Sequence, residues 1–362
     1  TKHNSYTEKL DSNTMSTFNM NRVSERGFGM GMEKASSKPV MNKRRALGDI
    51  TNAVADDDSK AILQNKKPLV FKPAASEVQM AEAKEEDMAD RSYMQRAIDD
   101  IDGRDVDNPL LVTTYVNDMY DHFGDLEREY KVSSTYMSKQ DFVNEKMRCI
   151  LADWLVEVHL KFKMVPESLY MTVSIIDRYL ELKQVRRSKL QLVGVAALLL
   201  AAKYEEIYPP ELRDLVYITD RAYNKQEILE MESEIANTLH FQFTIPTVHS
   251  FLCRYLKAAH ADRTMVQLAC YLTERTLQEY SMVKFLPSTI AATAVMVARK
   301  SLNRHPWSPT LMKYTNLDER DLVACADEMR SAINDATNQQ QAVFRKYSSS
   351  KFGGVARLPL SF

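Results

Sequence analysis

From Asn108 to Lys346 the sequence holds only two glycines, Gly124 and Gly194, and eight prolines that stand between apolar-periodic segments and never inside one. Glycine supplies the left-handed turns of tight hairpins and phosphate-binding loops. A span this long and this poor in it is therefore a poor candidate for a β-sandwich or a Gly-rich nucleotide fold. Proline opens helices and breaks their interiors, so the prolines act as punctuation. What lies between them is helical in period throughout.

A first helix is predicted over 109–129, with Leu111, Tyr115, Met119 and Phe123 spaced four apart. A second covers 141–163 and carries Met147, Ile150, Leu151, Trp154, Leu155, Val158 and Phe162. A third opens on Pro166 and runs to 182. The fourth, over 188–204, is apolar nearly all round, which means burial on every side. A short fifth follows Pro209 and Pro210, and the sixth begins at Asn224, with Glu227 placed to complete a capping box. The stretch from Leu190 to Lys203 then recurs 97 residues later as Pro287 to Lys300. The same shift carries Leu151, Leu155 and Val158 onto Val248, Leu252 and Tyr255. Self-similarity at a fixed period signals a repeated structural unit. The predicted fold is all-α: two tandem five-helix units over 137–244 and 245–345, an N-terminal helix over 108–136, and a short tail over 346–362.

Residues 1–90 hold four aromatic side chains, Tyr6, Phe18, Phe28 and Phe71, and are rich in Ser, Asn, Lys, Asp and Glu. Such a segment cannot bury enough apolar surface to offset its ordering entropy, so 1–107 is read as a disordered regulatory tail. The net charge of -1 argues against direct nucleic-acid binding. The longest apolar run, Leu192–Ala202, is too short to cross a bilayer. The four cysteines show no CxxC spacing, as expected of a reduced intracellular chain. The chain begins at Thr1, so a few residues are expected to precede it.

Enzyme signatures are missing. No phosphate-binding glycine loop, no H-E-x-x-H and no G-x-S-x-G occurs, and the seven histidines make no metal-ligand spacing with cysteine. No catalytic residue, metal or cofactor is expected, and a binding module is the leading class.

Met147-Arg-Cys-Ile-Leu-Ala-Asp-Trp-Leu-Val-Glu-Val158, Leu190-Gln-Leu-Val-Gly194, Lys203-Tyr-Glu-Glu-Ile-Tyr-Pro-Pro210, and Tyr217-Ile-Thr-Asp220 leading to Met231-Glu232 occur in this order. Together they strongly resemble the cyclin box of mitotic cyclins, B-type above all, over about residues 108–350. The resemblance implies two cyclin-box domains and a non-catalytic subunit that activates a cyclin-dependent protein kinase at G2/M. It implies kinase contacts from Lys203 and Glu232 as polar anchors, with Tyr204, Phe241, Tyr115 and Met119 as apolar ones. It implies a groove for Arg-x-Leu substrates or inhibitors formed by Met147, Ile150, Leu151, Trp154, Glu157, Leu190 and Gln191, in which Glu157 takes the arginine. Periodicity alone reads that same face as core. Arg148 and Asp177 are expected to form a structural ion pair.

Arg44-Arg-Ala-Leu47-Gly-Asp-Ile50-Thr-Asn52 resembles the extended destruction box, with Arg44, Leu47, Gly48, Ile50 and Asn52 as its defining positions. It implies recognition by the ubiquitin ligase of mitotic exit, with Lys60, Lys66, Lys67 and Lys72 as nearby acceptors. Residence in nucleus and cytoplasm goes with this reading. The only Ser/Thr-Pro pair, Ser308-Pro309, is read as a helix cap. An A-type cyclin is the alternative within the family. A transcription-type cyclin-box adaptor is the alternative outside the cell cycle.

Overall fold

The computed structural model describes residues 98–334 and 341–362. Among these residues there are twelve α-helices, several short 3-10 turns and no strand. Helix α1 (Val116–Glu129) precedes a first five-helix unit: α2 (Glu145–Phe162), α3 (Pro166–Leu182), α4 (Leu190–Glu205), α5 (Leu212–Ile218) and α6 (Lys225–Thr238). A second unit follows: α7 (Val248–Ala258), α8 (Arg263–Gln278), α9 (Pro287–Ser301), α10 (Pro309–Thr315) and α11 (Glu319–Asn334). A short α12 (Ala342–Ser348) comes after it. The starts of α3 and α8, of α4 and α9, and of α5 and α10 are each 97 residues apart, so the repeat seen in the sequence is a repeat of structure.

Helices α4 and α9 are the buried axes of the two units, packed on α3 and α6 in the first and on α7, α8 and α11 in the second. Gly194 lets α4 approach α2: a Cβ there would lie 2.7 Å from a Leu151 methyl. The caps follow local chemistry. Asn224 and Glu227 form a reciprocal capping box at α6. Ser308 accepts from the Leu311 N–H at the start of α10, with Pro309 in the first turn.

A buried ion pair of the first unit also reaches the second. Arg148 on α2 donates from Nε and Nη2 to the two carboxylate oxygens of Asp177 on α3, at 2.6 and 2.7 Å. Its Nη1 donates to the Leu277 carbonyl of α8 at 3.0 Å. The Tyr136 hydroxyl donates to Asp177 Oδ1 at 2.7 Å. Burial favours loss of the guanidinium proton, but the Asp177 carboxylate outweighs it and holds the Arg148 pKa above its ordinary value.

Residues 98–107 are packed, and α1 starts later than the sequence pattern suggests. Residues 98–107, expected in the tail, lie against the second unit. Asp102 receives both Arg254 Nη atoms at 2.6 Å and Lys257 at 2.9 Å, and Asp105 pairs with Lys257 at 2.6 Å. Two acidic residues opposite a buried arginine give this segment a seat that its low hydrophobicity conceals. The helix expected from 109 begins at Val116, because Val112 adopts a left-handed φ of 49° and breaks the run. Helix α1 then seats on the second unit: the Tyr120 hydroxyl donates to the Ser250 carbonyl, and Glu127 accepts from the Ser288 N–H and hydroxyl. At the other end, 346–362 is no loose tail. Tyr347 and Val355 are buried in the common core, and Lys346 pairs with Glu274 of α8 at 2.6 Å.

Removing one partner of a buried ion pair leaves the other charge uncompensated. Arg148→Ala is therefore expected to lower the unfolding free energy by about 3–5 kcal/mol. Chemical denaturation followed by circular dichroism measures it, and a loss below about 1 kcal/mol would show that the pair does not hold the units together.

Candidate functional site: a charged and aromatic edge on the first repeat

Helix α4 carries Lys203 in its last turn and packs on α6, which presents Glu232. Lys203 Nζ meets Glu232 Oε1 at 2.6 Å, and the Glu232 side chain is only 13% exposed. The two expected anchors thus stand together, each fixing the other's rotamer. Beyond Lys203, the Tyr204 hydroxyl shares a 2.6 Å hydrogen bond with the Thr244 hydroxyl. Glu206 then accepts from the Val165 N–H and the Ser168 hydroxyl, both at 2.7 Å, which ties the chain down right after α4. The next two residues, Ile207 and Tyr208, project into solvent at 88% and 90% exposure. Past α6, His240 and Phe241 take left-handed φ angles of 51° and 58°. The Phe241 N–H reaches back to the Ala236 carbonyl, and the Phe241 ring is left exposed, edge-on to Phe243. Large apolar side chains held in water by well-ordered backbone mark an interaction surface.

The duplication supplies an internal comparison. Lys300 holds the position of Lys203 at the end of α9 and pairs with Glu319 at 3.2 Å. At the same shift, Tyr204, Ile207 and Tyr208 become Ser301, Arg304 and His305. The second repeat keeps the lysine and lacks the apolar edge. Tyr115 and Met119, the other expected apolar contacts, are exposed at the start of α1, where Tyr115 is the residue preceding the first turn.

The expected docking residues divide in a different way. Met147, Leu151 and Leu190 are buried in the common core, and Gln191 is buried beside them. Ile150 and Trp154 are half-buried, and Glu157 is exposed. Met147, Leu151 and Leu190 therefore support the face from beneath and cannot line an open groove. Leu151 packs on α4 beside Gly194. Sequence reasoning missed Arg187. Its Nε and Nη2 are buried without a hydrogen-bond partner among the described residues, as is Nε2 of Gln191. Arg187 opens the 3-10 turn Arg187–Lys189 that leads into α4, four residues before Gln191. Buried donors without acceptors are rare in folded chains, and water or a bound group ordinarily satisfies them. The five destruction-box residues and the four lysines after them lie outside the described residues. Among the described residues no cluster of His, Cys, Asp or Glu could hold a metal ion, and no helix is long and apolar enough to cross a membrane.

A rigid double-repeat helical body with one apolar, charged edge is a protein-binding module. Residues 118–244 match the cyclin N-terminal domain and residues 246–361 the cyclin C-terminal domain. A G2/mitotic-specific cyclin-B of Spisula solidissima is 47% identical over 262 residues, 72% of this chain and 61% of its own length. The G2/mitotic-specific cyclin-B of Patella vulgata is 39% identical over 90% of both chains. A viral cyclin from herpesvirus saimiri superposes with a TM-score of 0.51 at 20% identity, covering 62% of this chain and 99% of that one, which speaks for the fold. The chain belongs to the cyclin family, among the B-type mitotic cyclins. It spans less than two thirds of the Spisula relative. The A-type and transcription-type alternatives give way to this assignment.

Truncating a buried methionine costs about 2–5 kcal/mol, whereas exposed substitutions stay within about 0.5 kcal/mol. Met147→Ala is expected to lower stability by the first amount and Glu157→Ala by no more than the second, as read from urea midpoints. Equal, small effects would mean that Met147 faces a groove after all.

Proposed function

We propose that this chain is a non-catalytic regulatory subunit that binds a cyclin-dependent protein kinase at G2/M and holds it in its active arrangement. The observation that carries the reading is the pairing of Lys203 with Glu232 beside the exposed Tyr204, Ile207, Tyr208 and Phe241. A kinase that exchanges between inactive and active arrangements is shifted by whatever binds the active one better. Moving such an equilibrium from 1:99 to 99:1 takes about 5.5 kcal/mol of differential binding. A few apolar anchors with a charged pair at their centre suffice for that. The pair also suits the task. Each member is held in place while unbound, so little side-chain entropy is lost when ammonium and carboxylate turn to backbone groups of a partner. The cyclin-B relatives, named for G2 and mitosis, support the timing.

Recruitment of Arg-x-Leu substrates or inhibitors is the second part of the reading. It is supported by the exposed Glu157 carboxylate, which offers charge-assisted hydrogen bonds to an arginine, and by the half-buried Ile150 and Trp154. The unpartnered donors of Gln191 and Arg187 suit the carbonyls of an extended peptide. Destruction through the box at Arg44–Asn52 by the ubiquitin ligase of mitotic exit is the third part. It rests on the extended motif together with the cyclin assignment. Residence in nucleus and cytoplasm belongs to the same reading, with Lys43-Arg44-Arg45 as a basic import signal.

Lys203→Ala with Glu232→Ala is expected to reduce activation of a recombinant cyclin-dependent kinase more than tenfold while leaving the helical circular dichroism spectrum unchanged; undiminished activation would refute the anchor assignment. Arg44→Ala with Leu47→Ala is expected to prolong the protein's half-life at mitotic exit, measured by chase after translation block. Unaltered turnover would remove the degron.

A further inference from the structure

Helix α12 lies beyond both repeats in sequence and returns to α2 of the first. Its seat has several parts. The Ala342 N–H donates to Asp153 Oδ1 at 2.9 Å. Lys346 Nζ contacts both oxygens of Glu274 at 2.6 and 2.7 Å, and the Tyr347 hydroxyl donates to the same carboxylate at 2.6 Å. Val343 and Tyr347 are buried. These contacts fix the helix and leave Arg345 facing α2, where its Nη2 donates to Glu157 Oε1. Glu157 is the carboxylate assigned above to the arginine of a docking peptide, so the following rests on that docking reading.

We infer that Arg345 is a resident competitor for docking peptides: it occupies Glu157 in the unloaded chain, and an incoming arginine must displace it. Two features make it a competitor and not a permanent plug. The Arg345 and Glu157 side chains are 61% and 54% exposed, so the pair is bathed in water and weak, and its exchange for another guanidinium is easy. The seat of α12 rests on Ala342, Val343, Lys346 and Tyr347, so Arg345 can swing away without unseating the helix. The consequence is a threshold. A segment that presents only apolar side chains gains nothing from Glu157, and one that presents an arginine gains the difference between two ion pairs. Specificity then comes from what the partner must outcompete as well as from what it contacts.

The test uses the 362-residue chain and two fluorescein-labelled peptides, one bearing Arg-x-Leu and one with that arginine replaced by alanine, with binding read by fluorescence anisotropy. Arg345→Ala is expected to tighten the arginine peptide about two- to fivefold, the range of an exposed ion pair, and Arg345→Glu to tighten it further. Neither substitution should change binding of the alanine peptide, because the coupling is between two arginines and one carboxylate. Thermal unfolding should show that both variants keep the wild-type midpoint. Unchanged affinity of Arg345→Ala for the arginine peptide, while Glu157→Ala weakens that peptide, would overturn the competitor role alone. Equal tightening of both peptides would overturn it too, since relief would then be steric. Binding of the arginine peptide that is absent, or indifferent to Glu157→Ala, would overturn the docking reading and the competitor with it.

Discussion

A guanidinium buried between two helical bundles sets the geometry on which the rest of this molecule depends. Arg148 gives two donors to Asp177 within the first repeat and a third to the Leu277 carbonyl in the second. Apolar packing favours burial but is less directional than hydrogen bonding, so polar contacts resist slip between two similar bundles, as do Glu167 with Thr247 and Tyr170 with Thr273. A fork of fixed N–H directions tolerates no such slip. Isolating the pair from water carries a desolvation penalty, so its contribution is to the register of the two units more than to the stability of either. Tyr136 adds its hydroxyl to the same carboxylate and packs edge-on to Tyr280, which receives the Met137 N–H. The segment ahead of α2, both α2 and α3, and the end of α8 therefore meet at one polar knot.

How much of this could be read from the residues depends on whether a signal was local. Prolines 166, 287 and 309 announce helix starts, and Asn224 with Glu227 announces α6, because capping and φ restriction act within a few residues. The spacing of 97 was visible because α4 and α9 are buried on every side, which forces a small, apolar composition on both. The Lys203–Glu232 edge was reached through family resemblance, since nothing local distinguishes a helix-end lysine that pairs across to α6 from one that faces water. The docking face was harder. Met147, Ile150, Leu151 and Trp154 share a side of α2, and period alone cannot say how far α3 and α4 cover that side. Asp102 finding Arg254, and Glu157 finding Arg345, are pairings more than 150 residues apart in the chain, beyond the reach of any window of sequence. Arg187 and Gln191 stand four residues apart, and only their burial without acceptors distinguishes them.

The N-terminal arm of the chain crosses over to the repeat it does not adjoin, and the C-terminal arm seats on both repeats. Residues 98–107 and α1 precede the first unit and seat on the second, through Arg254, Lys257, Ser250 and Ser288. Helix α12 follows the second unit and reaches α2 of the first, through Asp153 and Glu157. Each repeat is thus held by segments from the far side of the other, and neither is a separable bead on a string.

A duplicated frame would ordinarily offer two equivalent sockets. Here the replacement of Tyr204, Ile207 and Tyr208 by Ser301, Arg304 and His305 leaves one of them blank while keeping its lysine occupied by Glu319. For the activator proposed above, the result is monovalency at this edge: among the described residues only the first repeat presents it, so the surface grips one enzyme per molecule.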